Sequence, residues 1–444
     1  MGKLLLIAAV LVGQTQPAVR RTTPASNDPG MVVRQAGPVV TTGQDGGSLP
    51  VSVTATPDYG LTAFGNARTA EPFTLYDSNF LYGVDAEEWG TRQTVDSGIH
   101  HLPNESAVLL VANADGGVAA LRTHSQFRYQ SGKGARILMT GAFPGGTDAG
   151  QVYRLGYFDD NDGLGWKYSA SGLQFFVRTS TDGGVSETLY QVDAGPGWVP
   201  ANGSIYETTF QWLGVGEVRA YLNGNYVVDI RHANTLPQVY MKTATLPLTY
   251  EAVAGSRSAN MKAICTSVQS EGGAAPPGHT FSDRNASDLT IAGNAVNKPA
   301  ISIRVGGTFN GQRSRIQAFP TLVWCSSESK RIRVDLILNP NTLPGATFAT
   351  AATGSGVESD VSATGFDGGV SVGSFGVASN TLLVYDTTQI FGVLRRNLGV
   401  AAYSTPITDG GFDRDGTDTL TIAVTNTQTG NASVVCGVDW VEIR

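Results

Sequence analysis

Few residues in this sequence have the types and spacing that chemistry requires. Cleaving a glycoside takes two carboxylates facing one cleft at about 5–10 Å, and the strand pattern Glu-x-Asp-x-x-Glu that would supply them does not occur. The densest acidic stretch, Asp85-Ala86-Glu87-Glu88 beside Trp89, reads as a solvated loop with an aromatic neighbour. Asp159, Asp160 and Asp162 crowd one segment before Gly163, where Asx and Gly residues suit a hairpin turn better than an acid pair. Asp413, Asp415 and Asp418 surround Gly416 and form a candidate cation loop of hard oxygen donors, though not at the spacing of helix-flanked sites. The histidines (His100, His101, His124, His232, His279) show no His-Glu-x-x-His spacing, and His100 and His101 on a strand would face opposite ways. Gly132-Lys133 lacks the preceding glycine of a phosphate loop, and no serine sits in a Gly-x-Ser-x-Gly elbow. Trp89, Trp166 and Trp198 remain as candidate carbohydrate-binding residues, because an exposed indole can stack on sugar C–H groups, whereas core packing is the commoner use of tryptophan in such folds. The expectation is therefore no catalytic residue, no metal site and no cofactor.

The elements that would position these side chains are strands. A chain of 444 residues exceeds the roughly 250–300 residues at which one core stops growing, so at least two domains are expected. Hydrophobic residues make up 41% and charged residues 15%, which supplies cores but leaves the surface to Ser, Thr, Asn and Gly. The 55 glycines recur in Gly-Gly, Asn-Gly and Asp-Gly steps without a period of three, as turn punctuation. A net charge of −7 and a pI near 5.3 argue against a nucleic-acid partner, which needs a concentrated basic face. Cys265, Cys325 and Cys436 lie far apart without metal-type doublets, so they read as small buried apolar residues of a protein made in a reducing compartment.

Residues 1–60 carry closely spaced prolines among short β-prone pieces and read as an extended attachment arm with no core of its own. Within it, Lys3 and the apolar run Leu4 to Val12 fit either a secretory signal or a retained docking segment, and the run is too short for a membrane span of about 20 residues. Strand signals fill 61–272. Val218-Arg219-Ala220-Tyr221-Leu222, Asn223-Gly224 and Asn225 to Ile230 predict a hairpin, with Val218, Ala220, Leu222, Tyr226, Val228 and Ile230 facing a core. Further hairpins are predicted at 173–192, across Asp182-Gly183-Gly184, and at 152–168, across Asp159 to Gly163. Glu271 to Gly278 marks a boundary, after which 273–444 alternates again through Ile332–Leu338, Leu420–Val424 and Val434–Trp440. The expected fold class is all-β, an extended N-terminal arm followed by two β-sandwich, jelly-roll-like domains, with helix minor.

Several phrases then resemble a family of phage and viral structural proteins: Tyr59 to Arg68 running into Glu71-Pro72-Phe73-Thr74-Leu75, Phe127 to Gly134, Gln211 to Arg219, His232-Ala233-Asn234, Leu246 to Glu251, Ile264 to Val268 with Ser270 to Gly273, and Ile301 to Arg304. Ser131 stands where the family has proline. The resemblance covers most of the chain from about residue 58 onward. It implies a concanavalin-A-like jelly roll over 61–272 and a non-catalytic virion structural protein, a subunit of a tail fibre, head fibre, spike or other appendage. It implies localisation to the virion after assembly in the host cytoplasm. The implied partners are other virion proteins, through the N-terminal arm, and further copies of the chain in a homo-oligomer, of which a trimer is one form. A carbohydrate-binding module for a host-surface glycan is the alternative, and a polysaccharide depolymerase the third reading.

Overall fold

Alternation of apolar and polar residues, broken by turns that need positive φ, organises the chain into strands. The computed structural model describes residues 72–444 apart from 95, 114, 148, 213–215, 232–237, 272–277, 286–287, 296, 392–396 and 400–416. The arm expected at 1–60 and most of the expected boundary at 271–278 lie outside the described residues. Thirty strands, numbered along the chain, are accompanied among these residues by one 3-10 turn, Pro103–Glu105.

Two facing sheets build the first sandwich. One runs, in spatial order, β14 (Asn225–Ile230), β13 (Val218–Leu222), β12 (Ser204–Phe210), β7 (Ala135–Ala142), β17 (Ala259–Glu271), β4 (Ala107–Ala112) and β3 (Gly98–Leu102), with β1 (Pro72–Asn79) also paired to β17. The other runs β11 (Ser186–Gln191), β10 (Gly172–Thr179), β9 (Gly163–Ser169), β8 (Val152–Phe158), β16 (Leu248–Val253), β5 (Val118–Thr123) and β2 (Trp89–Gln93). β6 (Phe127–Arg128) and β15 (Thr245–Leu246) pair separately. The enclosed core is aromatic-rich, with Trp89, Trp166, Tyr153, Tyr206, Tyr250 and Phe175 fully buried. Buried rings of this size remove about 150–250 Å² each from water and dominate the packing.

The second sandwich pairs a sheet of β18 (His279–Arg284), β30 (Ala432–Ile443), β23 (Gln317–Glu328) and β28 (Thr381–Asp386), with β19 (Leu289–Ile291) on β30, against a sheet of β25 (Ala349–Thr350), β26 (Val357–Asp360), β20 (Lys298–Val305), β29 (Thr419–Asn426), β24 (Ile332–Leu338) and β27 (Val370–Val377). β21 (Thr308–Phe309) and β22 (Gln312–Arg313) form a small ribbon. Its core is aliphatic around Trp440. The described residues are all-β, as the sequence predicts.

The predicted hairpins form, and Asn223 and Gly224 take the positive φ values, 50° and 79°, that a tight turn demands. One expected side chain is turned over. A bulge in β14 pairs Ala220 with Val228 but Tyr221 with Tyr226, so Tyr226 leaves the core face and stands 38% exposed against the Tyr221 ring at 5.7 Å.

The cysteine reading is corrected twice. Cys325 and Cys436 occupy directly opposed positions on β23 and β30, with Cα atoms 4.1 Å apart, and are joined by a disulfide. Cys265 is exposed on β17. Residues 111 apart in sequence meet because two long strands share a register, which spacing along the chain does not reveal. The pairing removes the reason for inferring a reducing compartment.

Candidate functional site

The seven-stranded sheet has a second face, turned away from the core, and the register of its strands determines what stands there. One row across it reads Arg92, Ala120, Glu251, Arg154, Lys167, Gln174 and Gln191, and the next reads Gly90, Arg122, Thr249, Gly156, Gly165, Phe176 and Leu189. Phe158, Gly163, Arg178 and Glu187 begin a third. Gly156 and Gly165 are directly opposed, and a Cβ on Gly156 would come within 2.6 Å of the Gly165 Cα. With no side chains in that part of the middle row, the charged groups on either side can lean together above the backbone.

They converge on Glu187. Arg178 donates to Glu187 Oε1 from Nε at 3.0 Å and from Nη2 at 2.6 Å, while Lys167 Nζ donates to Oε2 at 3.4 Å. Arg154 places Nε 3.5 Å from Glu187 Oε1 and donates from Nη1 to Glu251 Oε1 at 2.9 Å, so one guanidinium bridges both carboxylates. Burial pushes the Glu187 carboxyl up, but Arg154, Arg178 and Lys167 together hold it below the usual carboxylate range. Arg178 also lies over the Phe158 and Phe176 rings, 5.1 and 5.6 Å from their centroids. An acid for glycoside cleavage needs the opposite environment, one that keeps a carboxyl protonated near neutrality.

At one end of this face the two sandwiches meet. Asp159 is 0% exposed. Its Oδ1 accepts the N–H groups of Asn161 and Asp162 at 2.8 and 2.9 Å, which is the expected Asx turn. Its Oδ2 accepts from Arg315 Nη2 at 2.6 Å, with Arg313 Nη1 at 3.7 Å. Arg315 donates further to Gln126 Oε1 and the Thr245 carbonyl, both at 3.3 Å, and Gln317 donates to the Gln126 carbonyl. Burial raises the Asp159 carboxyl, yet Arg315, the Asp162 N–H and Arg122 hold it below its ordinary value. Arg122, buried beside it, donates to Thr249 Oγ1 at 2.9 Å and Asp160 Oδ1 at 3.3 Å, and burial lowers its pKa to about 10 against the pull of those carboxylates. Asp162 accepts from the N–H groups of Ser180 and Lys242, both at 3.1 Å. The three aspartates form an inter-sandwich clamp and a pair of turns.

For Trp89 and Trp166 the sugar-binding expectation is corrected. Trp89 and Trp166 are each 1% exposed inside the first core, their rings packed on Phe80 and on Phe175 and Tyr206, so neither can present a face to a sugar. Trp198 is half-buried, edge-on to Tyr168 at 5.4 Å. Glu88 accepts from Tyr76 and Ser78 hydroxyls, and Ser78 accepts from the Trp89 indole, tying β1 to β2. Asp413 and Asp415 lie outside the described residues; Asp418 accepts from Asn339 Nδ2 at 2.8 Å and the Gly399 N–H at 3.4 Å. Among the described residues no group of three His, Cys, Asp or Glu is arranged to hold a metal. Sequence reasoning missed Arg154, Arg178, Glu187, Glu251 and Arg315. The first four carry a faint signal, each being the one charged residue of its strand.

No protein family and no curated protein matches the sequence. Among solved structures, an endo-1,3-beta-glucanase from Streptomyces sioyaensis aligns with 10% identity and a TM-score of 0.35, covering 45% of this chain and 96% of that one. The metal-free Emp46p carbohydrate recognition domain aligns with 11% identity and a TM-score of 0.31, covering 45% and 97%. An endo-beta-1,4-glucuronan lyase from the fungus Trichoderma reesei aligns with 8% identity and a TM-score of 0.32, covering 44% and 94%. These neighbours are polysaccharide-active and carbohydrate-recognising proteins, and each alignment spans under half of this chain.

Proposed function

We propose that this chain is a non-catalytic structural subunit of a bacteriophage particle, part of a fibre, spike or other appendage. The observation that carries the non-catalytic reading is the state of Glu187 and Glu251. Both carboxylates on the outer face of the seven-stranded sheet are engaged by Arg154, and Glu187 also by Arg178 and Lys167, which leaves neither placed as a proton donor. The clamp at Asp159 supports a structural role, since a buried and fully satisfied carboxylate fastens two cores together. The phrases resembling phage and viral structural proteins support the location.

A second reading, recognition of a host-surface glycan, is favoured by the same face, where the partly exposed cations Arg92, Arg154 and Lys167 would suit an acidic sugar. Quantitative proteomics and a reconstruction of purified particles test the first reading, which expects stoichiometric incorporation. An array of neutral and acidic glycans tests the second. Release of oligosaccharide from host capsule, lost on Glu187→Gln or Glu251→Gln, would overturn the non-catalytic assignment.

A further inference from the structure

We propose that β28 is a self-pairing edge through which a second copy of this chain joins the five-stranded sheet of the second sandwich. β28 pairs with β23 on one side and has no strand on the other among the described residues. The free side is identifiable from hydrogen bonding. Thr387 N–H donates to the Thr321 carbonyl at 2.9 Å, in the register that continues through Tyr385–Val323 and Leu383–Cys325. Alternation then turns the N–H and C=O groups of Leu382, Val384 and Asp386 outward. The side chains of Leu382 and Val384 are 61% and 54% exposed, on the sheet face away from the core.

Four other edges carry features that block pairing: Arg92 in β2, Glu187 in β11, Asp229 with a bulge in β14, and a bulge between β27 and its neighbour. β28 reads Thr-Leu-Leu-Val-Tyr-Asp, pairs with β23 without a bulge, and carries one charge, at its last residue. The strand is complementary to itself. An antiparallel pair centred on Leu383 sets each Leu382 opposite the other copy's Val384, both on the same face and both with free backbone groups. Asp386 then falls across from Asn380, and no like charges oppose. The two-fold symmetry of that contact closes on a dimer, with a continuous sheet spanning both copies.

This inference does not depend on the appendage reading. Sedimentation of the full chain over a range of concentrations is expected to show a reversible dimer. Leu382→Lys and Val384→Lys, at exposed positions that leave the melting temperature unchanged, are expected to weaken it by about tenfold or more, while Val370→Lys on the neighbouring edge β27 leaves it intact. A monomer at all concentrations overturns the proposal, as does any oligomer, dimer or trimer, whose affinity ignores both β28 substitutions.

Discussion

Asp159 shows how one residue can hold two sandwiches. Its carboxylate has no contact with water and is satisfied by two turn N–H groups and by Arg315. Arg315→Ala strands that charge, and stability measured by denaturant is expected to fall by about 3–5 kcal/mol. The pH dependence follows from the direction of the shift. The folded-state value is depressed below the ordinary 3.8 of an aspartate, so the contribution is complete above that value and is lost as pH falls through the lower, folded one. Asp159→Asn is therefore expected to flatten the acid limb of a stability–pH curve, and an unchanged limb would show that other carboxylates set it. The Asx turn here was legible, because the Asp-Asp-Asn-Asp-Gly run is local. The arginine that reads it was not, being 156 residues away. Trp89 and Trp166 teach the converse: residue type allowed sugar stacking, and burial alone excluded it.

Strands and turns were the most legible level. Asn223-Gly224 between alternating arms specified β13 and β14, and Ile332 to Leu338 specified β24, because side-chain period and turn conformation are properties of short segments. The bulge that turns Tyr226 outward leaves no mark in the sequence, since an extra residue in one strand exists only relative to its partner. The opposed pair Gly156 and Gly165 belongs to the same level. Gly156→Ala drives a Cβ to within 2.6 Å of both the Gly165 Cα and the Leu164 carbonyl, so a loss of about 1–3 kcal/mol is expected from thermal melts. The neighbouring ion pairs around Glu187 should loosen as β8 and β9 separate.

For the molecule as a whole, the two cores belong to one compact unit, Gly60–Arg444, but they are reinforced unequally. The disulfide lies wholly inside the second core and closes a loop of 111 residues. Its removal, by reduction or by Cys325→Ala with Cys436→Ala, is expected to cost about 2–5 kcal/mol. Calorimetry should then resolve two transitions, with the second sandwich melting first. A uniform downward shift of a single transition would mean that the clamp at Asp159 couples the cores more tightly than the disulfide distinguishes them.

By itself the sequence determined the all-β class, the hairpins and which strand faces are apolar, since each depends on neighbours a few residues apart. Tertiary structure decided the rest: Cys325 against Cys436, Arg154 between Glu187 and Glu251, Arg315 on Asp159, and β28 at the end of its sheet among the described residues. Each of those is a meeting of distant segments, fixed by sheet order and register. No local pattern of side chains encodes the order in which strands come to lie beside one another.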